Sequence, residues 1–193
     1  MNLETGIRWM ELFNEKIQNE KDYLTQLDTP IGDSDHGNNM SRGMTHVIKA
    51  IEDEKPKTLN ELLQLMMKNM LSKVGGASGP LYGSAFMGMM KAESVAEDWA
   101  SVLKAGLETI QKRGKAEQGD KTMVDLWIAV VEAVETHQLT HELIDEAVEA
   151  TQPLKAKKGR ASYVGDRSIG HIDPGAYSSG LLFHAMLEAE AEQ

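Results

Sequence analysis

At 193 residues and 21.3 kDa the chain has the length of one ordinary domain with one sizeable core. An apolar content of 41% and a charged content of 26% exclude a disordered chain, a collagen-like rod or a coiled-coil rod. The net charge of −10 argues against a chain that coats nucleic acid or an anionic membrane, because both need a basic face. With no cysteine there is no disulfide framework, thiolate nucleophile or Cys-ligated zinc. No apolar run approaches the roughly 20 residues of a bilayer span. Met1 to Thr5 lack the basic and apolar regions of a secretory signal, so the expectation is a soluble, cytoplasmic protein.

Helical periodicity runs through almost the whole chain. Ile7, Met10, Phe13 and Ile17 mark a first helix, and Met40, Met44, Val47, Ile48 and Ile51 a second. Leu62, Leu63, Met66, Met67, Met70, Leu71 and Val74 form a third, opened by a Thr58–Glu61 capping box and stopped by Gly75-Gly76. A fourth runs from about Pro80 through Phe86 to Met90. The spacing predicts a fifth from Ser94, with Glu97 completing a capping box, through Trp99, Leu103 and Ile110 to Gly114. Met123 to Val134 read as a sixth and Thr140 to Val148 as a seventh, with Pro153 ending it. The eighth opens at Asp173-Pro174, a cap followed by proline at the first helical position. No alternating run bounded by turn residues suggests a strand. The expectation is an all-α fold, an antiparallel up-and-down array of eight amphipathic helices forming one domain over 1–193.

The seven connections differ in kind. Those after the second, fourth and sixth helices are short or bland. Those after the first, third, fifth and seventh read LDTPIGDSDHGNN from Leu27, GGASGP from Gly75, GKAEQGDKT from Gly114 and KKGRASYVGDRSIGHIDPG from Lys157. In an up-and-down array all odd connections emerge at one end, and a random choice of four connections gives this about once in 35. Residues 155–171 also carry a charge balance of +4, leaving −14 on the rest. One basic segment on an acidic protein reads as a local anion site or as a solvated surface loop.

Asp28, Asp33 and Asp35 crowd into one turn-rich segment. Three carboxylates this close repel unless a cation joins them, and all-oxygen ligation suits Mg²⁺ or Ca²⁺ rather than zinc. The competing reading is turn and cap chemistry, with Asp35 capping the second helix. An EF-hand is rejected: counted from Asp33 its glycine arrives one residue early at Gly37, and Met44 takes the terminal glutamate position. GGASGP leading into a helix suits phosphate, through free N–H groups and the helix dipole, but a helix stop and serine cap explain it equally well. Gly114 to Thr122 nearly spells a P-loop, yet Asp120 interrupts it and a helix precedes it, so a Walker-type NTPase is rejected. His36 lies in the aspartate loop and His171 in the basic loop, whereas His46, His137, His141 and His184 occupy ordinary helix or surface positions.

Taken together, GDSDHGNNM, GGASGPLYG, KAEQGDKTM and GRASYVGDRSIGHIDPGA resemble the nucleotide-binding L subunits of dihydroxyacetone kinases, over essentially the whole chain. The resemblance implies an antiparallel eight-helix barrel with ADP held at one end. A free-standing chain of this size is similar to the bacterial phosphotransferase-system-dependent type. By that resemblance Asp28, Asp33 and Asp35 ligate two Mg²⁺ ions, and His36, Gly37, Asn38 and Asn39 line the nucleotide site. Ala77 and Ser78 stand at the phosphate-binding helix start, and Gly114 and Met123 flank the adenine or ribose. Arg160 neutralises phosphate charge as the catalytic residue, and Asp173, Pro174 and Gly175 close the pocket. The implied chemistry is a relay: tightly bound ADP takes a phosphoryl group from a phosphohistidine of the M subunit. The resulting ATP phosphorylates dihydroxyacetone on the K subunit. Alternatives are a kinase subunit that exchanges ATP with solvent, and a regulatory module whose nucleotide state controls a transcriptional regulator.

Overall fold

Local end signals decide where most of the helices start. The computed structural model describes residues 1–192, and all regular structure among them is helical. The α-helices are α1 (Leu3–Asn19), α2 (Lys21–Asp28), α3 (His36–Glu54), α4 (Leu59–Lys73), α5 (Ser78–Glu93), α6 (Trp99–Gly114), α7 (Met123–Glu135), α8 (His141–Glu149) and α9 (Pro174–Ala191). A 3₁₀ segment, Arg160–Ser168, sits between α8 and α9. Asp173 opens α9 by accepting from the Ala176 N–H, with Pro174 at the first helical position as expected. Thr58 accepts from the Glu61 N–H, while the Glu61 carboxylate turns to the Lys57 N–H, one residue before the cap. The complete capping box belongs instead to Thr122 and Asp125 at α7.

Two expected boundaries move. The fifth expected helix does not start at Ser94, which ends α5; Asp98 caps α6 by accepting from the Ser101 N–H. The fourth expected helix, placed to Met90, runs on through Lys91 to Glu93 as the last turn of α5. The first expected helix is followed, after a one-residue break at Glu20, by α2, which buries only Leu24 and Asp28. So little apolar surface leaves almost no periodic signal to read. The parity of the connections survives because α3 packs back along both α1 and α2.

Helices adjacent in sequence are neighbours, and α9 closes the ring against α1 and α7. The interior is filled by large side chains from around the ring. Trp9 meets Phe86 at 6.3 Å between ring centroids, Phe13 meets Tyr82 at 6.4 Å, and Trp127 meets Phe183 edge-on at 4.8 Å. Burial of these aromatic and methionine faces supplies the main stabilisation. A small satellite cluster of Ile31, Ala156 and Ala161 ties the aspartate loop to the segment before α9. Among the described residues no helix is long and apolar enough to cross a membrane.

Gly37 sets how closely α3 approaches α2. A Cβ there would lie 2.0 Å from the Lys21 carbonyl oxygen and 2.5 Å from Thr25 Oγ1. Gly37→Ala is therefore expected to destabilise the fold by ~2–4 kcal/mol, despite alanine's better helix propensity, because backbone must move to admit it. Urea denaturation checks this, and an unchanged midpoint would contradict the close approach.

Candidate functional site

The aspartate loop folds around Asp28. This buried carboxylate accepts from the N–H groups of Asp35 (3.0 Å) and His36 (3.2 Å), so it holds the start of α3. Asp35 occupies the cap position but makes no side-chain cap bond, contrary to its reading as the capping residue. Its carboxylate instead faces its neighbours: oxygens of Asp28, Asp33 and Asp35 lie within 4.8 Å of one another. Burial and the nearby Asp35 charge push the Asp33 carboxyl above its usual range. Arg160 offsets part of this repulsion through a 2.7 Å ion pair with Asp33. An all-oxygen donor set under mutual repulsion fits a hard divalent cation such as Mg²⁺.

The second wall is the Gly75-Gly76 turn. A Cβ on Gly75 would lie 2.5 Å from Asn39 Oδ1, and one on Gly76, whose φ is +65°, would lie 3.7 Å from Asp35 Oδ1. Glycine is needed at Gly75 to pass Asn39 and at Gly76 for its positive φ, and the turn so made lies beside Asp35. It delivers the chain into α5, whose cap residue Ala77 provides no side-chain acceptor. The Ser78 and Gly79 N–H groups at the start of α5 thus have no side-chain cap, and Ala77 and Ser78 line the cavity, so the positive end of the helix lies at it.

The third wall comes from the basic segment and the start of α9. Lys158, Gly159, Arg160 and Ala161 line the cavity, as do Asp173, Pro174 and Gly175. Burial pushes the Asp173 carboxyl up to about 7. Lys121 anchors this wall: its buried ammonium donates to the carbonyl oxygens of Thr151, at 2.7 Å, and His171. The lysine of the near P-loop is thus a clasp for the returning chain, in keeping with the rejection of a Walker motif.

An apolar slot adjoins this polar cavity and shares Ala77, Leu81, Thr122 and Met123 with it. Ile110, Gly114 and Val124 are among its other walls, and a Cβ on Gly114 would touch Leu81 at 3.3 Å. A cavity lined by carboxylates and Arg160, adjoining a mainly apolar slot, matches the two halves of a nucleotide.

Most expected site residues converge here: Asp28, Asp33, Asp35, His36, Asn39, Ala77, Ser78, Met123, Arg160, Asp173, Pro174 and Gly175 line the polar cavity, and Gly114 lines the slot. Gly37 and Asn38 do not. Gly37 packs on α2 and Asn38 is exposed on α3, since a helix turns consecutive residues to different faces. Ile31, Leu81, Thr122 and Lys158 are lining residues that the sequence reading did not single out.

It also missed a buried hydrogen-bond chain. Ser78 Oγ meets His36 Nδ1 at 2.9 Å, and His36 Nε2 meets Ser178 Oγ at 3.0 Å. Ser178 meets the Tyr82 hydroxyl at 2.7 Å; that hydroxyl also meets Ser179, which accepts from Trp127 Nε1. Burial lowers the His36 pKa, so its imidazole is held neutral between two hydroxyls. The available signal was Ser178-Ser179 within the largely apolar first half of α9.

A family described as the DAK2 domain matches residues 30–188. The chain belongs to the DAK2 domain family. Over nearly its whole length this DAK2 chain is 52% identical to a Listeria innocua protein named PEP-dependent dihydroxyacetone kinase 1, ADP-binding subunit DhaL, covering 96% of each. It is 50% identical to the PTS-dependent dihydroxyacetone kinase, ADP-binding subunit DhaL, of Lactococcus lactis, covering 99% of this chain and 100% of that one. The DAK2 fold recurs in the crystal structure of the C. freundii dihydroxyacetone kinase complexed with AMP-PNP and Mg²⁺. The TM-score is 0.78 at 22% identity, over 97% of this chain and 34% of that one.

Proposed function

We propose that this chain is the ADP-binding subunit of a phosphoenolpyruvate-dependent dihydroxyacetone kinase. The observation that carries the reading is one rim where three carboxylates, an α5 N-terminus without a side-chain cap and Arg160 surround a cavity joined to an apolar slot. The full-length similarity to chains named as such subunits supports it.

In this reading Asp28, Asp33 and Asp35 hold two Mg²⁺ ions between them, one carboxylate oxygen of each lying in mutual reach. The α5 N-terminus and Ser78 receive phosphate, and Leu81, Gly114 and Met123 hold the base. Bound ADP supplies a phosphoryl carrier, loaded from a phosphohistidine of a phosphotransferase-system M subunit and discharged onto dihydroxyacetone held by a K subunit. The protein's own part is positioning and charge neutralisation, which in-line phosphoryl transfer chiefly requires. Arg160 places a guanidinium at the mouth, while Asp28 fixes the α3 start and His36 ties α3 to α5 and α9. Tyr163, 86% exposed on the same 3₁₀ segment, leaves the rim open to a docking partner.

The reading expects one ADP per chain to survive prolonged dialysis in Mg²⁺, as measured by mass analysis of the released nucleotide. It also expects dihydroxyacetone phosphorylation when the chain is mixed with K, M and the general phosphotransferase proteins. Ready loss of nucleotide would favour an ATP-exchanging subunit. Retained ADP without phosphorylation would favour a regulatory module.

A further inference from the structure

A second set of donors, away from the rim, joins α8 to α9. His141 is exposed at the first position of α8, and His184 lies half-buried ten residues beyond Pro174 on α9, about 15 Å along the axis. Their Nδ1 atoms are 2.6 Å apart, while the ring centroids are 4.9 Å apart with planes only 9° from parallel. Such close nitrogens with such distant centroids mean that the rings meet edge to edge in nearly one plane. His184 Nε2 faces Asp145 Oδ1 at 2.9 Å. A carboxylate accepts, so His184 carries its proton on Nε2, its Nδ1 presents a lone pair, and His141 Nδ1–H donates to it.

We propose that His141 and His184 form a transition-metal site, taking a borderline ion such as Zn²⁺ or Cu²⁺ through their two Nδ1 atoms. The arrangement has the two parts such a site needs. The two ligand nitrogens already lie face to face within 2.6 Å, and the carboxylate behind His184 fixes its tautomer and ring orientation, as metal-ligating histidines generally require. Binding needs no net proton loss: the His141 proton moves through solvent from Nδ1 to the exposed Nε2, freeing the second lone pair. Metal–nitrogen bonds near 2.0–2.1 Å set the nitrogens about 3.4 Å apart in a tetrahedral site, so the nitrogens separate by under about 1 Å while the His141 ring turns by about 70° to bring its lone pair from end-on to the tetrahedral angle. His141, exposed at the helix end, can give that much. The local charge also suits a dication, because Asp145 and Glu188 outnumber Lys16, which pairs with Glu188 at 2.7 Å. Imidazole nitrogen selects this class over the Mg²⁺ favoured by the aspartate loop. An ion here would staple α8 to α9.

The test is calorimetric titration of the intact protein with Zn²⁺ in excess Mg²⁺, beside Cu²⁺ electron paramagnetic resonance. Expected are one Zn²⁺ per chain, nitrogen hyperfine splitting from two imidazoles, and at least about a tenfold loss of affinity in His141→Ala, His184→Ala and Asp145→Asn. Asp33→Asn should bind Zn²⁺ as wild type does. His141 is exposed, so its variant keeps the test decisive even if the His184 change disturbs folding. Unchanged Zn²⁺ affinity in His141→Ala, loss of binding in Asp33→Asn, or a copper signal without nitrogen coupling would each overturn the site.

Discussion

Asp33→Ala is expected to lower ADP affinity in Mg²⁺ by about 10²-fold or more while leaving the ligand-free thermal midpoint unchanged or slightly raised. The three aspartates are not equivalent. Asp28 is buried and holds two backbone N–H groups at the start of α3, so losing it should impair folding and binding together. Asp33 carries no such bond; its side chain is 35% exposed and its ion partner is the half-exposed Arg160. A pair that open contributes little to stability. The repulsion matters more. The Asp33 carboxyl is raised by burial and by Asp35, so the native state binds its proton more tightly than the unfolded chain does. Its negative charge therefore costs stability above the ordinary carboxylate range, and the cost disappears as pH falls. Deleting the carboxylate removes that cost but also removes the attraction that draws a cation in. Calorimetry of ADP binding with and without Mg²⁺, beside a melting curve, separates the two effects. Unchanged ADP affinity in Mg²⁺ would remove Asp33 from the ligand set.

What the sequence made legible was what repeats or what is unusual for its place. The expected helices that open on a side-chain cap, α4, α7, α8 and α9, start where the sequence places them. The exception, the start of α6, shows why: Ser94–Glu97 has the spacing of a capping box, but α5 had not yet ended, and Asp98 supplied the cap. α2 was illegible because it buries so little. The convergence of four segments could be argued from parity alone, since antiparallel helices leave no freedom about which end a connection occupies. Orientation within a segment was not legible. Asp28 rather than Asp35 holds the start of α3, because which carboxylate meets the helix N–H groups depends on how the loop closes. Gly37 and Asn38 left the cavity for a similar reason: a motif names consecutive residues, while a helix presents them to different sides. His141 and His184 are 43 positions apart on different helices, so their meeting required the ring to be closed first.

Arg160→Ala is expected to slow coupled dihydroxyacetone phosphorylation by about 10³-fold while weakening ADP binding by no more than about tenfold. Ground-state binding has other supports, namely the aspartate cluster, the α5 N-terminus, the apolar slot and the ammonium of Lys158 on the same wall. A single guanidinium at an open rim adds modestly to those. The transferring phosphoryl group is another matter, because charge there has to be met by a group already in place. Arg160 is held for that task without being buried. Gly159 and Gly165, at φ values of +66° and +60°, bend the 3₁₀ segment at both sides of it, and the ion pair with Asp33 parks the guanidinium over the cluster. Once Asp33 ligates a cation, the guanidinium loses that partner and can turn to phosphate oxygens. Arg160→Lys should recover part of the rate, because it restores the charge but not the two-pronged donor geometry. Turnover in the reconstituted system, measured beside nucleotide retention on ultrafiltration, distinguishes the roles. Equal losses in rate and in retained ADP would make Arg160 a binding residue only, and an unchanged rate would place the transferring group elsewhere.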